Sequence, residues 1–355
     1  MLNHNFYSLF AVSVFAGTFT LNIPDSFAQE LPLCHMVATG GTIAMKLDPV
    51  THAPVPALSG EDLLTSVPGL DQVARIEVES PFNVPSTYMD PDLWVQTREL
   101  VVRALADPRV SGVIVSHGTD TLEETAWFLD LTVNSDKPIV LVGAQRNASE
   151  PDSDGPRNLL NAARVCVAPA ARGKGAMIVM NGQINAAREA TKTHTSDVET
   201  FKSGDFGFLG TVDHDRVVFY RAPIRRQHLG LLAQPLPRVD IIPVYAGADA
   251  MLLHAALSAG AQGLIIEAAG WGNINLPLFE AIKLAIAGGT TVVISTRVPN
   301  GRVLPMYGFE GGGKTLMDAG AVFADNLSPP KARILLMIAL QTTNDPEQIQ
   351  LLFDR

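Results

Sequence analysis

The sequence predicts an α/β protein of two domains, a larger N-terminal parallel-sheet α/β domain and a smaller C-terminal α/β domain. Three observations carry that expectation. Short apolar runs without polar alternation, such as 113–115 and 138–143, have the character of strands buried on both faces, the habit of parallel sheets. Segments of helical periodicity separate them, so strands and helices alternate. The stretch 223–237, with three prolines and few large residues in periodic positions, interrupts the alternation, which then resumes. The expected layout is an export signal over 1–28, an N-terminal domain over 29–222, a linker over 223–237 and a C-terminal domain over 238–355.

In chain order, the apolar stretch 9–21 has the length of a signal-peptide core and is too short to span a bilayer. Ser26 and Ala28 are the small residues of a cleavage site, so cleavage is expected after Ala28, although residues 1–8 hold no lysine or arginine. No later apolar run approaches the length of a membrane span. A strand over 33–38 runs into Thr39-Gly40-Gly41-Thr42-Ile43-Ala44, where two glycines permit a sharp turn and close approach of a ligand. Residues 45–60, rich in proline and small side chains, predict a mobile loop or lid, and 61–67 a short helix behind Ser59. A strand over 75–80 and an amphipathic helix over 91–106, with Pro91 in its first turn, precede the central strand. Beyond it come a helix over 122–131, the strand 138–143, a polar loop over 144–156, a helix over 158–168, a strand over 175–180, a polar segment over 187–194 and a strand over 217–220. The C-terminal part predicts strands over 239–244, 263–267 and 291–296, a helix ending at 259, and helices over 276–287 and 330–341.

The 355 residues are 47% hydrophobic and 17% charged, ordinary for a globular chain, and the net charge of −10 offers no basic field, which excludes nucleic acid as a main partner. The eight histidines show no metal-ligand spacing, and neither metal nor other cofactor is expected. Cys34 and Cys166 have the option of pairing in an exported protein, but two buried free thiols is the preferred reading.

The richest stretch is 112–126. An apolar strand meets the turn His117-Gly118-Thr119-Asp120-Thr121, which opens onto a helix with Glu123 and Glu124 in its first turn. Such a junction places N–H groups, a hydroxyl and a carboxylate at the C-terminal edge of a parallel sheet, where open α/β folds bind small molecules. A threonine hydroxyl is a poor nucleophile unless a neighbour takes its proton, and Lys192 held by Asp120 is suited to activate Thr119. Turn N–H groups would stabilise an oxyanion.

The segments 39–44, 117–126, Asp154-Gly155-Pro156 and Thr191-Lys192-Thr193 resemble the signature segments of bacterial-type L-asparaginases and glutaminase-asparaginases, in order and over nearly the whole chain after the signal. The resemblance implies a tetramer built from intimate dimers and metal-free hydrolysis of a side-chain amide to an acid and ammonia. By position it implies Thr42 as the nucleophile and Thr119, Asp120 and Lys192 as the second threonine, the binder of the substrate α-amino group and the lysine. It implies Ser86 at the α-carboxylate and the Ala144 carbonyl at the amide. The chain departs from the family at several positions. No tyrosine lies between Thr42 and Ser86, leaving His52, Tyr88, Tyr245 and Tyr307 as candidate helpers. Thr87 replaces a glutamine that adjoins substrate, Gly247 replaces an asparagine, Ser135 stands at a half-cystine, and Glu310 is the best counterpart of the acid donated across the dimer interface.

The expected activity is therefore that of an exported, asparaginase-like amidohydrolase acting on a small amide, by acyl-enzyme or direct water attack. The alternatives are an amidase of the same fold with another substrate, favoured by Thr87 and Gly247, and a periplasmic solute-binding protein. Gly308 to Thr315 also satisfies the spacing of a phosphate-binding loop, but Pro299 and Pro305 precede it and Gly320 interrupts the helix that should come after it, so a surface or subunit-contact loop is expected.

Overall fold

The computed structural model describes residues 1–2, 30–232 and 235–355. The apolar core and cleavage site of the expected export signal lie outside the described residues. Residues 31–355 form one compact unit. Its strands are β1 (Leu33–Ala38), β2 (Met45–Leu47), β3 (Pro54–Pro56), β4 (Arg75–Glu79), β5 (Val110–Ser116), β6 (Ile139–Val142), β7 (Ala176–Met180), β8 (Gln183–Ala186), β9 (Thr191–Lys192), β10 (Phe201–Lys202), β11 (Gly210–Val212), β12 (Val217–Phe219), β13 (Val239–Pro243), β14 (Gly263–Ala268), β15 (Thr291–Thr296) and β16 (Val322–Phe323). Its helices are α1 (Gly60–Thr65), α2 (Pro91–Ala106), α3 (Leu122–Thr132), α4 (Gly155–Val167), α5 (Met251–Ser258), α6 (Leu276–Ala287), α7 (Gly313–Asp318), α8 (Pro329–Ala339) and α9 (Pro346–Phe353).

The large sheet has the order β12-β11-β8-β7-β6-β5-β1-β4. From β7 to β4 every pairing is parallel, while β8, β11 and β12 extend the sheet antiparallel. A smaller all-parallel sheet, β13-β14-β15-β16, forms the C-terminal domain. The unalternating runs are the central strands: all of β6 and β7 is buried, and most of β5. Helices α1 and α4 cover one face of the large sheet with Leu63, Leu159 and Ala162. On the other face, Trp94 of α2 and Trp127 of α3 belong to a core that continues through Leu335 of α8 to Val239, Ile265 and Val293 of the small sheet. Each large side chain fully buried there is worth about 1.5–3 kcal/mol, so the two sheets are joined by a shared apolar layer.

Local chemistry sets the helix boundaries. Asp90 caps α2, accepting the Leu93 N–H at 2.9 Å, and Pro91 sits where a missing N–H costs nothing. Asn275 caps α6 in the same way. At α1, Ser59 and Asp62 form a reciprocal capping box.

Two expectations are corrected. Cys34 of β1 and Cys166 of α4 are not free thiols but a disulfide, and no free cysteine occurs among the described residues. The reason is the neighbouring strand: Gly112 of β5 pairs with Cys34, and a Cβ on it would lie 3.0 Å from the Cys166 carbonyl oxygen. Its missing side chain lets the end of α4 reach β1, and the Cα–Cα distance of 6.6 Å is within disulfide range. The expected mobile loop over 45–60 is in large part a hairpin of β2 and β3. Pro49 lies in its turn, while Pro54 and Pro56, which in sequence mark a loop, stand in the short exposed strand β3 outside the main sheets, where proline is tolerated. Asp48 holds the hairpin turn by accepting the N–H groups of Val50 and Thr51.

At the free edge of the small sheet, Gln350 of α9 bonds both backbone groups of Phe323. Its Oε1 accepts the Phe323 N–H at 2.8 Å and its Nε2 donates to the Phe323 carbonyl at 3.0 Å.

Candidate active site

Strands β1 and β5 are parallel neighbours, with Ala38 opposite Ser116, so the glycine turn at 39–44 and the turn at 117–121 leave the sheet at the same C-terminal edge. The turns then meet backbone to backbone. Gly41 has φ 86°, and a Cβ there would lie 2.1 Å from the Gly118 nitrogen. A Cβ on Gly118 would in turn lie 2.7 Å from the Ser86 Cβ. Only glycine permits this stacking. The segments are also laced by hydrogen bonds: Gly41 N–H to Val84 O, Val84 N–H to Thr39 O, Asp120 N–H to Ser86 Oγ at 3.2 Å, and the Thr121 hydroxyl to Ser86 O at 2.7 Å. Thr42 and Thr119, each one residue past a packed glycine, are thereby delivered to one place.

Thr119 is 4% exposed. Its hydroxyl donates to Gln145 Oε1 at 2.8 Å and accepts from Lys192 Nζ at 2.9 Å, and the same ammonium donates to Asp120 Oδ1 at 2.7 Å. In this arrangement the lysine donates to the threonine. For Thr119 to give up its proton, Lys192 must first be neutral and the hydroxyl must turn from Gln145 toward it. The Thr42 hydroxyl, on a half-buried residue between the buried Gly41 and Ile43, has no hydrogen-bond partner among the described residues. Ser86 is buried, Thr87 beside it is exposed, and Ala144 is buried immediately before Gln145.

The surroundings fix these groups. His117 is fully buried, and burial pushes its pKa down to about 4 against the opposing effect of its bond to Gly118. Its Nδ1 lies 2.7 Å from the Gly118 carbonyl oxygen, which only accepts, so Nδ1 carries the proton and Nε2 accepts from the Thr125 hydroxyl at 2.9 Å. Asp154, in the Asp-Gly-Pro segment, accepts the N–H groups of Gln145 and Arg146 and the Asn158 side-chain amide. Glu123, at the start of α3, accepts the Lys192 N–H at 2.6 Å and the Thr191 hydroxyl at 3.2 Å. Sequence reasoning missed Gln145 and Glu123 as site residues. Glu123 was legible only as a first-turn acid, and Gln145 only as the first polar residue after an apolar strand.

Two family models match the chain: the asparaginase N-terminal domain over residues 34–225 and the glutaminase/asparaginase C-terminal domain over residues 238–353. The chain belongs to the asparaginase family. It is 38% identical to a protein named L-asparaginase 2 from Bacillus subtilis, over 92% of this chain and 87% of that one. It is 36% identical to a probable periplasmic L-asparaginase from Haemophilus influenzae, over 95% and 96%. Among solved structures, a probable cytoplasmic L-asparaginase from Campylobacter jejuni superposes with a TM-score of 0.82 at 35% identity, covering 91% of this chain and 99% of that one.

Of the residues expected at the site, hydrogen bonds link Ser86, Thr119, Asp120 and Lys192, Thr42 follows the glycine that packs on Gly118, and Ala144 adjoins Gln145, all on the large domain. Glu310 is not brought to them within the chain. It is exposed in the loop before α7 and makes no hydrogen bond or ion pair among the described residues. His52 is exposed in the β2–β3 turn at φ 54°, and the exposed Tyr88, Tyr245 and Tyr307 make no hydrogen bond to Thr42. Gly247 has φ 82°, a conformation open to glycine or asparagine, so it keeps the backbone path and lacks the amide. The phosphate-loop spacing is unsupported. Helix α7 has only 6 residues and no strand feeds it. The N–H groups of Gly311, Gly312 and Lys314 are taken by Thr315 Oγ1, Phe309 O and Tyr307 O. Among the described residues no cluster of His, Cys, Asp or Glu could hold a metal ion, and no helix is long and apolar enough to cross a membrane.

Proposed function

We propose that this chain hydrolyses the side-chain amide of L-asparagine to aspartate and ammonia, with Thr42 and Thr119 as its reacting hydroxyls. The observation that carries the reading is the contact of Lys192 with both Thr119 and Asp120, beside a Thr42 hydroxyl left without a partner. In this scheme the substrate amide carbon is attacked by Thr42 or by water, Lys192 takes and returns the proton through Thr119, and turn N–H groups hold the oxyanion. Asp120 binds the α-amino group, and Ser86 with Thr87 the α-carboxylate. The carbonyl of Ala144 faces the leaving amide. Thr87 and Gly247 favour a second reading, in which an amide with a modified or absent α-amino group is preferred.

Export to the periplasm is supported by the small residues at 26 and 28, by the relative named periplasmic, and by a disulfide, which suits an oxidising compartment. The Campylobacter jejuni relative is described as cytoplasmic, so family membership alone does not fix the compartment. A homotetramer is proposed in which Glu310 of one chain completes the pocket of another, since within its own chain it stands free of the cluster. The deciding experiment is ammonia release from L-asparagine, L-glutamine, their D-forms and amides lacking the α-amino group, beside Thr42→Ala. Turnover of L-asparagine that vanishes in the variant is expected. Turnover confined to the other amides would transfer the assignment to the second reading, and full activity in Thr42→Ala would overturn the nucleophile.

A further inference from the structure

Lys331 is a buried ionisable group that this chemistry leaves unused. It stands in the first turn of α8, in the C-terminal domain, and is 2% exposed. Its Nζ donates to the carbonyl of Arg188 at 3.1 Å and to that of Ala190. Those carbonyls belong to the backbone that runs directly into β9, the dipeptide Thr191-Lys192. On its other side the dipeptide is held by Glu123 of α3, through the Lys192 N–H and the Thr191 hydroxyl. The lysine of the reaction is therefore carried on a short strand gripped by an ammonium from one domain and a carboxylate from the other. Lys331 is itself fixed at its backbone, where Trp127 Nε1 donates to its carbonyl at 3.2 Å.

A buried ammonium is an unfavourable way to fill space, because an apolar side chain of the same length avoids the desolvation. Burial lowers the Lys331 pKa to about 8, against the attraction of Glu123, Glu189 and Glu124 and with the repulsion of Arg188. What the ammonium supplies here, and an apolar side chain would not, is donors for the carbonyls of Arg188 and Ala190. If they are released, the segment before β9 keeps on the C-terminal side only the bond from the Arg188 guanidinium to Asn326 Oδ1 at 2.9 Å, made by a flexible side chain rather than by the backbone, and Lys192 Nζ is held less firmly at 2.9 Å from Thr119.

We propose that Lys331 is a positioning residue: by tethering the 188–190 backbone from the C-terminal domain, it fixes where Lys192 stands against Thr119. The proposal rests on the reading that Lys192 serves Thr119. Misplacing a reacting group by roughly 1 Å costs about 100-fold in rate, so Lys331→Met is expected to lower kcat about 10- to 100-fold with KM within about threefold, because Ser86 makes no hydrogen bond to the tethered segment and Asp120 loses only its contact with Lys192.

The test is a double-mutant cycle on the full-length enzyme: Lys331→Met, Lys192→Met and the pair, with Leu316→Ala in the C-terminal core as a control for destabilisation alone. If Lys331 acts through Lys192, its substitution has no further effect on the residual kcat of Lys192→Met, and amide exchange over 187–194 speeds up in Lys331→Met but not in Leu316→Ala. Should Lys331→Met fail to fold, Lys331→Gln retains N–H donors on a shorter, uncharged side chain and is expected to show an intermediate loss in the same cycle. Equal losses in both backgrounds, or a kcat for the Lys331 variant within about twofold of wild type while Lys192→Met is inactive, would overturn the positioning role and leave the site reading intact. Full activity in Lys192→Met would overturn both.

Discussion

The stacking of Gly41 on Gly118 gives the sharpest prediction. In Gly41→Ala the new Cβ would sit 2.1 Å from the Gly118 nitrogen and 2.2 Å from its Cα, whereas ordinary contact begins at 3.4 Å. Both atoms are backbone, so no side chain can swing aside, and the turns must part by roughly 1 Å, enough to lower kcat about 100-fold. The variant also forces a side chain onto φ 86°, ψ −177°, a region that is essentially glycine's and costs about 1–3 kcal/mol. Gly69→Ala separates the two effects: its φ is 77° and nothing lies within 4 Å of its Cβ, so it carries the backbone strain, about 1–2 kcal/mol, without the clash. Ammonia release under saturating substrate reads kcat, and a thermal melt reads stability. Both variants should melt earlier, and only Gly41→Ala should lose turnover. A Gly41→Ala enzyme with kcat within about threefold of wild type would refute the claim that glycine contact sets the spacing of Thr42 and Thr119.

Removing the disulfide with Cys34→Ala and Cys166→Ala should lower unfolding stability by up to about 5 kcal/mol on the chain-entropy account, given the separation of 132 residues. Urea unfolding of the double variant measures it, and a loss below about 1 kcal/mol would mean that constraint of the unfolded chain is not what the bridge contributes. His117 should make stability pH-dependent: the unfolded imidazole takes its proton near 6.5 and the folded one at about 4, so the unfolded state binds more protons in between. Stability should therefore fall as pH drops from 6.5 to 4, and His117→Gln should flatten that slope in melts across the window. An unchanged slope would show that other groups carry it.

Much of this architecture was legible because local signals agreed with tertiary demand. Helices α2 and α6 keep their expected limits, since Asp90-Pro91 and Asn275 mark their starts and apolar periodicity carries them. Strands β5, β6 and β7 were recognisable from unbroken apolar runs, which only a doubly covered sheet needs. The pieces that escaped are stabilised from outside themselves. Strands β9 and β10 have two residues each, too few for any pattern, and β9 is held from outside by Glu123 at the Thr191 hydroxyl and the Lys192 N–H. The antiparallel strands β8 and β11 were likewise unanticipated. The disulfide depended on a missing side chain at Gly112, a fact about a third strand that cysteine spacing does not contain. Within the site, Thr42, Thr119, Asp120 and Lys192 stood out by residue type. Gln145 and Glu123 did not, because what marks them is a hydrogen bond to Thr119 or Lys192 that only the fold creates.

The amide of Gln350 has a bearing on solubility. A sheet that ends in open solvent offers its last row of N–H and C=O groups to any extended chain it meets. On β16 that invitation is withdrawn by one side chain, which presents Phe323 with the same donor and acceptor that a neighbouring strand would bring. The final helix thus acts as a stopper on the sheet. A chain shortened before α9 would keep every reacting group of the amidase and yet present a bare edge, so its expected failure is self-association in storage and in the cell rather than loss of chemistry.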